Sequence, residues 1–472
     1  MKRLKKILAL TLAAATIASV TAGCGGKTET ASTAPAASAA PASSAEAAST
    51  APAASAATGS GTIYYLNFKP EVADVYKKIA DEYKTETGIT LKVVTAAAGT
   101  YEQTLKSEIA KTDAPVLFQI NGPKGYANWK DYCADLKDTE LYKHLTDKTI
   151  AVTDGTGVYG IPYVVEGYGI IYNNAIMTKY FALSGAKAKS MDEINNYAKL
   201  KEVVEDMTAQ KAKLGIKGVF SSTSLKPGED WRWQTHLANL PVYYEFKDNN
   251  IDLKSAATSE IKFQYADNYK NIFDLYINNS TTKKTLLGSK SVDDSMAEFA
   301  LGQSAMVQNG NWAWGQISGV AGNTVKADDV KFMPIYTGMK GEETQSICVG
   351  TENFFAINKK APADQQKMAE DFLTWLYTSD KGKAFVTNDL KFIAPFDSFK
   401  DNEKPTDPLA KEVLRYMSNT KLTNVPWNFT VFPSQTFKNN FGAALLQYAQ
   451  GKKQWNDVKT IVIDQWKAES GK

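Results

Sequence analysis

From residue 62 onward, apolar positions recur with two periods. Residues 62–67 read as a strand, and between 70 and 87 Val72, Val75, Tyr76, Ile79 and Tyr83 share one helical face that Gly88 closes. Residues 89–94 alternate as a strand, 101–111 form a helical pattern, and 116–120 are a short apolar run. Alternating strands and helices predict an α/β lobe with a largely parallel sheet. Helical periodicity returns over 191–214, closed by Gly215, then a short strand at 218–221 and further helices over 260–278, 365–378 and 441–450. No internal repeat interrupts this order. The roughly 410 residues after 61 exceed what one hydrophobic core usually holds, which predicts two lobes.

The first 61 residues follow another pattern. Met1 to Lys6 is basic, and residues 7–20 are apolar or small but too few to span a bilayer stably. Val20-Thr-Ala-Gly-Cys24 then resembles a bacterial lipobox, with Thr21 where leucine is usual. The expectation is a lipoprotein signal peptide over 1–23 and a diacylglyceryl group on Cys24, whose two acyl chains suffice for lasting attachment. The alternative is an ordinary secretion signal that happens to contain a cysteine. Residues 27–61 are almost wholly Ala, Ser, Thr and Pro, without bulky apolar side chains. Such a segment cannot bury enough surface to offset its conformational entropy, so 24–61 is expected to be a disordered tether. About 35 flexible residues reach on the order of 30 Å.

Composition narrows the chemistry. The formal charge of the chain is +3, and removing Lys2, Arg3, Lys5 and Lys6 with the leader takes it to about −1. No basic patch points to nucleic acid. Cys133 and Cys348 are either a disulfide or, as two distant cysteines more often are, buried free thiols, and His144 and His236 lack metal-ligand spacing or a nucleophile motif. No cofactor, metal site or catalytic residue is expected. Tyr, Phe and Trp make up 11% of the chain, and aromatic rings can stack on the apolar C–H face of a pyranose while polar neighbours take its hydroxyls.

Three segments carry a family resemblance. Gly157-Val-Tyr-Gly-Ile-Pro-Tyr-Val-Val-Glu-Gly-Tyr-Gly-Ile-Ile-Tyr-Asn173 is similar to the crossover segment of family 1 extracellular solute-binding proteins. Phe299-Ala-Leu-Gly-Gln-Ser-Ala-Met-Val-Gln-Asn-Gly-Asn-Trp-Ala-Trp314 resembles that family's second signature, and Phe372-Leu-Thr-Trp-Leu-Tyr377 with Ser379 to Phe385 its third. Their order behind a lipobox and tether resembles a sugar-type binding lipoprotein of an ABC importer, in the pattern of the maltose group. The resemblance implies an α/β fold of two lobes joined by hinge strands around a ligand cleft. Lobe 1 is expected over 62–165 and 337–392, and lobe 2 over 166–336 and 393–472.

The same resemblance implies where ligand contacts fall. Trp312, after Asn309-Gly-Asn, takes the place of a sugar-stacking tryptophan. Glu166 takes the acidic position of the crossover segment, with a hinge salt bridge as its alternative role. Tyr168 shares its strand face by the period of two. Asp230, Trp231 and Arg232 stand where maltose-type binders carry acids and rings, although Pro-aromatic-aromatic is replaced here, and Arg232 has pairing with Glu229 as an alternative. Asn67, Asn121 with Lys124, Glu352, Trp427 and Phe432 complete the expected cleft. The maltose group's acidic–basic pair is absent beside Asn121, which counts against maltose itself.

The expected function is capture of an oligosaccharide, with malto-oligosaccharide one candidate, by a monomer lipid-anchored at the outer face of the cell membrane, most simply a Gram-positive surface. Delivery would be to the permease of an ABC importer. The alternatives are the same fold holding another solute such as a polyamine, or a surface glycoside hydrolase, which requires two carboxylates flanking the scissile bond.

Overall fold

A computed structural model describes residues 60–222, 224–252 and 258–470. Cys24 and almost all of the expected tether lie outside the described residues. The part described belongs to one compact unit, Ala53–Lys472.

Among the described residues, twelve strands form two sheets. The first has the order β2 (Thr90–Thr95), β1 (Thr62–Asn67), β3 (Leu117–Asn121), β11 (Asn353–Ile357), β5 (Gly157–Pro162) and β4 (Val152–Asp154). β1 pairs parallel with β2 and β3, whereas β11 runs antiparallel between β3 and β5. The second sheet has the order β12 (Thr423–Val425), β10 (Gln345–Gly350), β6 (Glu166–Asn173), β8 (Ser304–Gly310) and β7 (Gly218–Phe220), with β9 (Val330–Met333) also on β6. All eight residues of β6 are buried, because helices cover both faces of its sheet.

Each sheet carries its own cores. Tyr65, Tyr76, Tyr83, Phe355 and Tyr377 anchor the first lobe, and Tyr168, Trp233, Tyr269, Phe273 and Trp466 the second. The helix Ala73–Thr87 buries Tyr76, Ile79 and Tyr83 and is capped by Gly88 at φ 78°. Other elements depart from their expected bounds. The helical pattern of 260–278 starts only at Ala266, since Phe263 sits at φ 49° and breaks it. The last-but-one helix begins at Gln435, ahead of the expected 441, with Ser434 capping it.

The chain passes between the lobes at residues 163–165 and 351–352. A third passage follows Glu403, whose carboxylate still binds Lys383 of lobe 1 at 2.8 Å, and precedes the helix Pro408–Met417 that packs on β6 and β9. The expected boundaries at 337 and 393 therefore shift. β10 pairs with β6 in lobe 2, and 393–403 packs on lobe 1 through contacts such as His144 Nδ1 to Asp397 at 2.6 Å. Apolar alternation marks a strand but does not say which sheet accepts it.

Candidate ligand cleft

The strand ends β1, β3 and β6 and the crossing at 351–352 converge between the lobes, where open α/β sheets bind ligands. Asn67 ends β1 and organises the turn beyond it. Its Nδ2 donates to the Lys69 carbonyl at 2.8 Å and to Thr95 Oγ1 at 3.1 Å, and its Oδ1 accepts from the Lys69 amide at 3.2 Å. This aims the Lys69 side chain across the cleft at Glu166, where Nζ donates to Oε1 at 2.9 Å and Oε2 at 3.0 Å. Both side chains are buried. Burial opposes the charge on each, and the pairing with Glu166 keeps the Lys69 ammonium above the usual lysine range.

The opposite wall is aromatic. After Trp231 the chain makes a π-helical turn, Arg232–Leu237, all six residues of which are buried. Such wide turns recur at functional sites because they shift side chains around the helix axis. Here the turn places His236 amid five rings: Tyr168 at 4.5 Å between centroids, Trp231 at 4.8 Å, Phe429 at 5.0 Å, Trp312 at 5.4 Å and Trp427 at 5.9 Å. Trp231 and Trp312 stand 5.9 Å apart at 43°. Neither ring nitrogen of His236 has a hydrogen-bond partner, nor do Gln234 Oε1 and Trp312 Nε1. Burial first, then the charges of Arg232, Lys69 and Lys438, holds the imidazole pKa well below its ordinary range, so the ring is neutral and offers one donor and one acceptor.

Lys69, Glu166, Trp231, Gln234, His236 and Trp312 line one cavity together with Glu71, Tyr101, Glu102, Asn121, Lys124, Glu352, Phe432 and Lys438. Asn121 Nδ2 donates to Glu352 Oε1 at 2.9 Å, and burial raises that carboxyl above its usual range. Glu102 accepts from Trp129 Nε1 at 2.9 Å. Lys438 is drawn below the lysine range by burial, partly offset by Glu352 and Glu102. A second cavity shares Glu71, Glu166, Trp231 and Trp312 and continues to Arg232, Asp293 and Lys391. The lobes meet beside the first cavity, where a β-carbon on Gly99, at φ 72°, would sit 2.8 Å from the Gly228 carbonyl oxygen.

The expected contacts divide accordingly. Trp312, Glu166, Trp231, Asn121, Lys124, Glu352 and Phe432 line the first cavity, and Arg232 lines the second. Four others lie outside both cavities. Tyr168 is beneath His236, donating its hydroxyl to the His236 carbonyl at 3.0 Å; the strand runs inward, so its second residue on that face is already covered. Asp230 turns away against the helix Gln435–Ala449, where a β-carbon on Gly442 would overlap its Oδ2. Trp427 packs over Gly350 and edge-on to Trp312, and Asn67 acts on the Lys69 turn. Sequence reasoning missed Lys69, Gln234, His236 and Lys438. The run Trp231-Arg-Trp-Gln-Thr-His236 was the available signal, since polar residues so closely interleaved with tryptophans rarely all face a core.

No helix among the described residues is long and apolar enough to cross a membrane. No curated protein matches the chain in sequence. Among solved structures, the solute-binding protein RafE in complex with raffinose is 18% identical, with TM-score 0.64, covering 86% of this chain and 99% of that one. A chitin oligosaccharide binding protein is 16% identical, with TM-score 0.66, covering 88% and 100%. Maltose-bound MalE3 of T. maritima is 15% identical, with TM-score 0.62, covering 86% and 99%. These share the two-lobe fold. Residues 78–412 match the family described as bacterial extracellular solute-binding protein, and over that span, most of its length, the chain belongs to this family.

Proposed function

We propose that this protein captures an oligosaccharide between its lobes and delivers it to the permease of an ABC importer, held to the outer face of the membrane through a lipidated Cys24. The observation that carries the reading is the aromatic wall: Trp231 and Trp312 flank the cleft beside buried polar atoms of His236, Gln234 and Trp312 that have no partner in the protein. A pyranose supplies what both need, an apolar ring face for the indoles and hydroxyls for the unpaired donors and acceptors. Three structural relatives are named for raffinose, chitin oligosaccharide and maltose. Ligand bound to the aromatic wall would shift the population toward lobes closed over it.

A polyamine would want free carboxylates, but Glu166 is bound by Lys69 and Glu352 by Asn121. The same engagement takes up Glu166 and Glu352, two of the carboxylates that glycoside hydrolysis would draw on. Calorimetric titration against α- and β-linked oligosaccharides tests the proposal, with binding near micromolar, about −8 kcal/mol, expected for the cognate sugar. Binding of spermidine with no sugar bound overturns it, and release of new reducing ends replaces binding by hydrolysis. Palmitate labelling of intact cells expressing wild type but not Cys24→Ala tests the anchor.

A further inference from the structure

Arg232 borders the second cavity, and among the described residues no carboxylate pairs with its guanidinium directly; Glu71, Glu229 and Asp293 act on it only from a distance. The Arg232 side chain is 2% exposed, and neither Nε nor Nη1 has a hydrogen-bond partner. Its guanidinium carbon lies over the Trp231 ring, 3.9 Å from the centroid. Glu229, the neighbour that could have paired with it, is taken by Lys226 at 2.7 Å and by the Val292 amide at 2.6 Å.

The other carboxylates around this second cavity are mostly engaged as well. Glu166 accepts from Lys69, Glu71 lies 3.4 Å from the same ammonium, and Asp293 accepts from Gln316 at 3.0 Å, which leaves Asp389. Across the cavity, lobe 1 contributes Lys391, a non-glycine residue held at φ 59°. Strained backbone of that kind persists where the surrounding structure imposes it and clusters at ligand sites.

A buried, unpaired guanidinium is costly, and neutral hydroxyls would leave its charge uncompensated. A carboxylate matches the fork in shape and charge through two parallel hydrogen bonds. Trp231 and Trp312 border both cavities, so a sugar stacked on them reaches Arg232. We propose that Arg232 receives the carboxylate of a uronic acid, making the cleft selective for acidic over neutral oligosaccharides. The inference rests on the oligosaccharide reading and adds the class of sugar.

The test is titration calorimetry on the full chain with xylotriose, maltotriose and raffinose, beside trigalacturonate, glucuronosyl-xylotriose and the methyl ester of each acid. A uronate is expected to bind roughly 100-fold tighter than its own ester, as for one buried charge-assisted pair. Arg232→Gln is expected to erase that gap, so that acid and ester bind alike. Arg232→Lys, which keeps charge but not the fork, is expected to retain about a tenfold preference and gives a second reading if the glutamine variant fails to fold. Equal affinity of wild type for acid and ester overturns the inference and leaves the oligosaccharide reading intact. Binding of a sulfated sugar in preference to the uronate overturns the carboxylate assignment. Absence of binding to every sugar overturns both readings.

Discussion

The two walls of the cleft differ in how their polar groups are satisfied. On the lobe 1 side, Lys69 bridges to Glu166, Asn121 to Glu352, Glu102 to Trp129, and Lys124 to the Ser470 carbonyl at 3.4 Å. On the lobe 2 side, Arg232, Gln234, His236 and Trp312 all present buried atoms without partners. Protein interiors rarely leave such atoms unpaired unless something else completes them. Around the first cavity, the lobe 1 groups are thus mostly paired within the protein, although Thr351 and Asn353 beside Glu352 are not, and the lobe 2 groups are largely unpaired. On the proposed reading lobe 2 would offer the binding surface, and lobe 1 a cover joined to it through the Lys69–Glu166 pair.

The strongest way to break this contrast is to remove the pair that spans it. Lys69→Met strands Glu166 in a buried site, and removing one partner of a buried ion pair costs about 3 kcal/mol or more. Urea unfolding is expected to show that loss in the free protein. Stability equal to wild type would mean that the lobe 1 wall is not structurally complete.

On the opposite wall the effect should fall on ligand rather than on fold. Trp312→Ala removes a half-buried indole that borders both cavities. The expected loss is about 2 kcal/mol of sugar affinity, roughly 30-fold, with the protein still folded. Unchanged affinity in a folded variant would remove Trp312 from the site.

How far the cleft was legible in the sequence depends on whether a side chain's role was local. Trp312, Trp231 and Glu166 follow from short segments whose own strand or turn fixes their direction. Lys69 was not legible, because its partner lies 97 positions away and only folding brings them together. His236 was hidden because it lacks metal-ligand spacing and a nucleophile motif, and only the folded π-helical turn brings it into the ring cluster. The boundary at 337 shifted for a related reason, since strand β10 reads the same in either sheet and long-range pairing alone assigns it, and that at 393 shifted because 393–403 packs on lobe 1. The alternation of strands and helices in the first lobe, by contrast, is local and was readable.

Asp230 sharpens the contrast by lying just behind the aromatic wall. Burial raises its carboxyl to about 6, against an ordinary value near 4. The folded state then binds more protons than the unfolded one between those two values. Asp230 thus costs stability above pH 6, and the cost disappears as pH falls toward 4. Asp230→Asn is expected to raise stability at pH 7.5 by about 2 kcal/mol, with the gain vanishing near pH 4. Denaturant midpoints of both proteins across that range check it. Sugar affinity should be unchanged, since Asp230 packs against Gly442 rather than the cavities; a loss of binding would return Asp230 to the site.

The smallest effect expected is at Tyr168, which packs behind the wall and lines neither cavity. Its hydroxyl donates to the carbonyl of His236 from inside lobe 2, and its ring packs on the imidazole and on Trp427. Tyr168→Phe keeps the ring and deletes one buried hydrogen bond, leaving the His236 carbonyl without that donor. The expected cost is about 1 kcal/mol of stability, read as a lower denaturant midpoint at unchanged slope. Affinity should fall by no more than about threefold, the size of a slightly loosened His236. A tenfold loss of binding with full stability would mean that Tyr168 reaches the sugar directly, and the aromatic wall would then be one layer deeper than its cavities suggest.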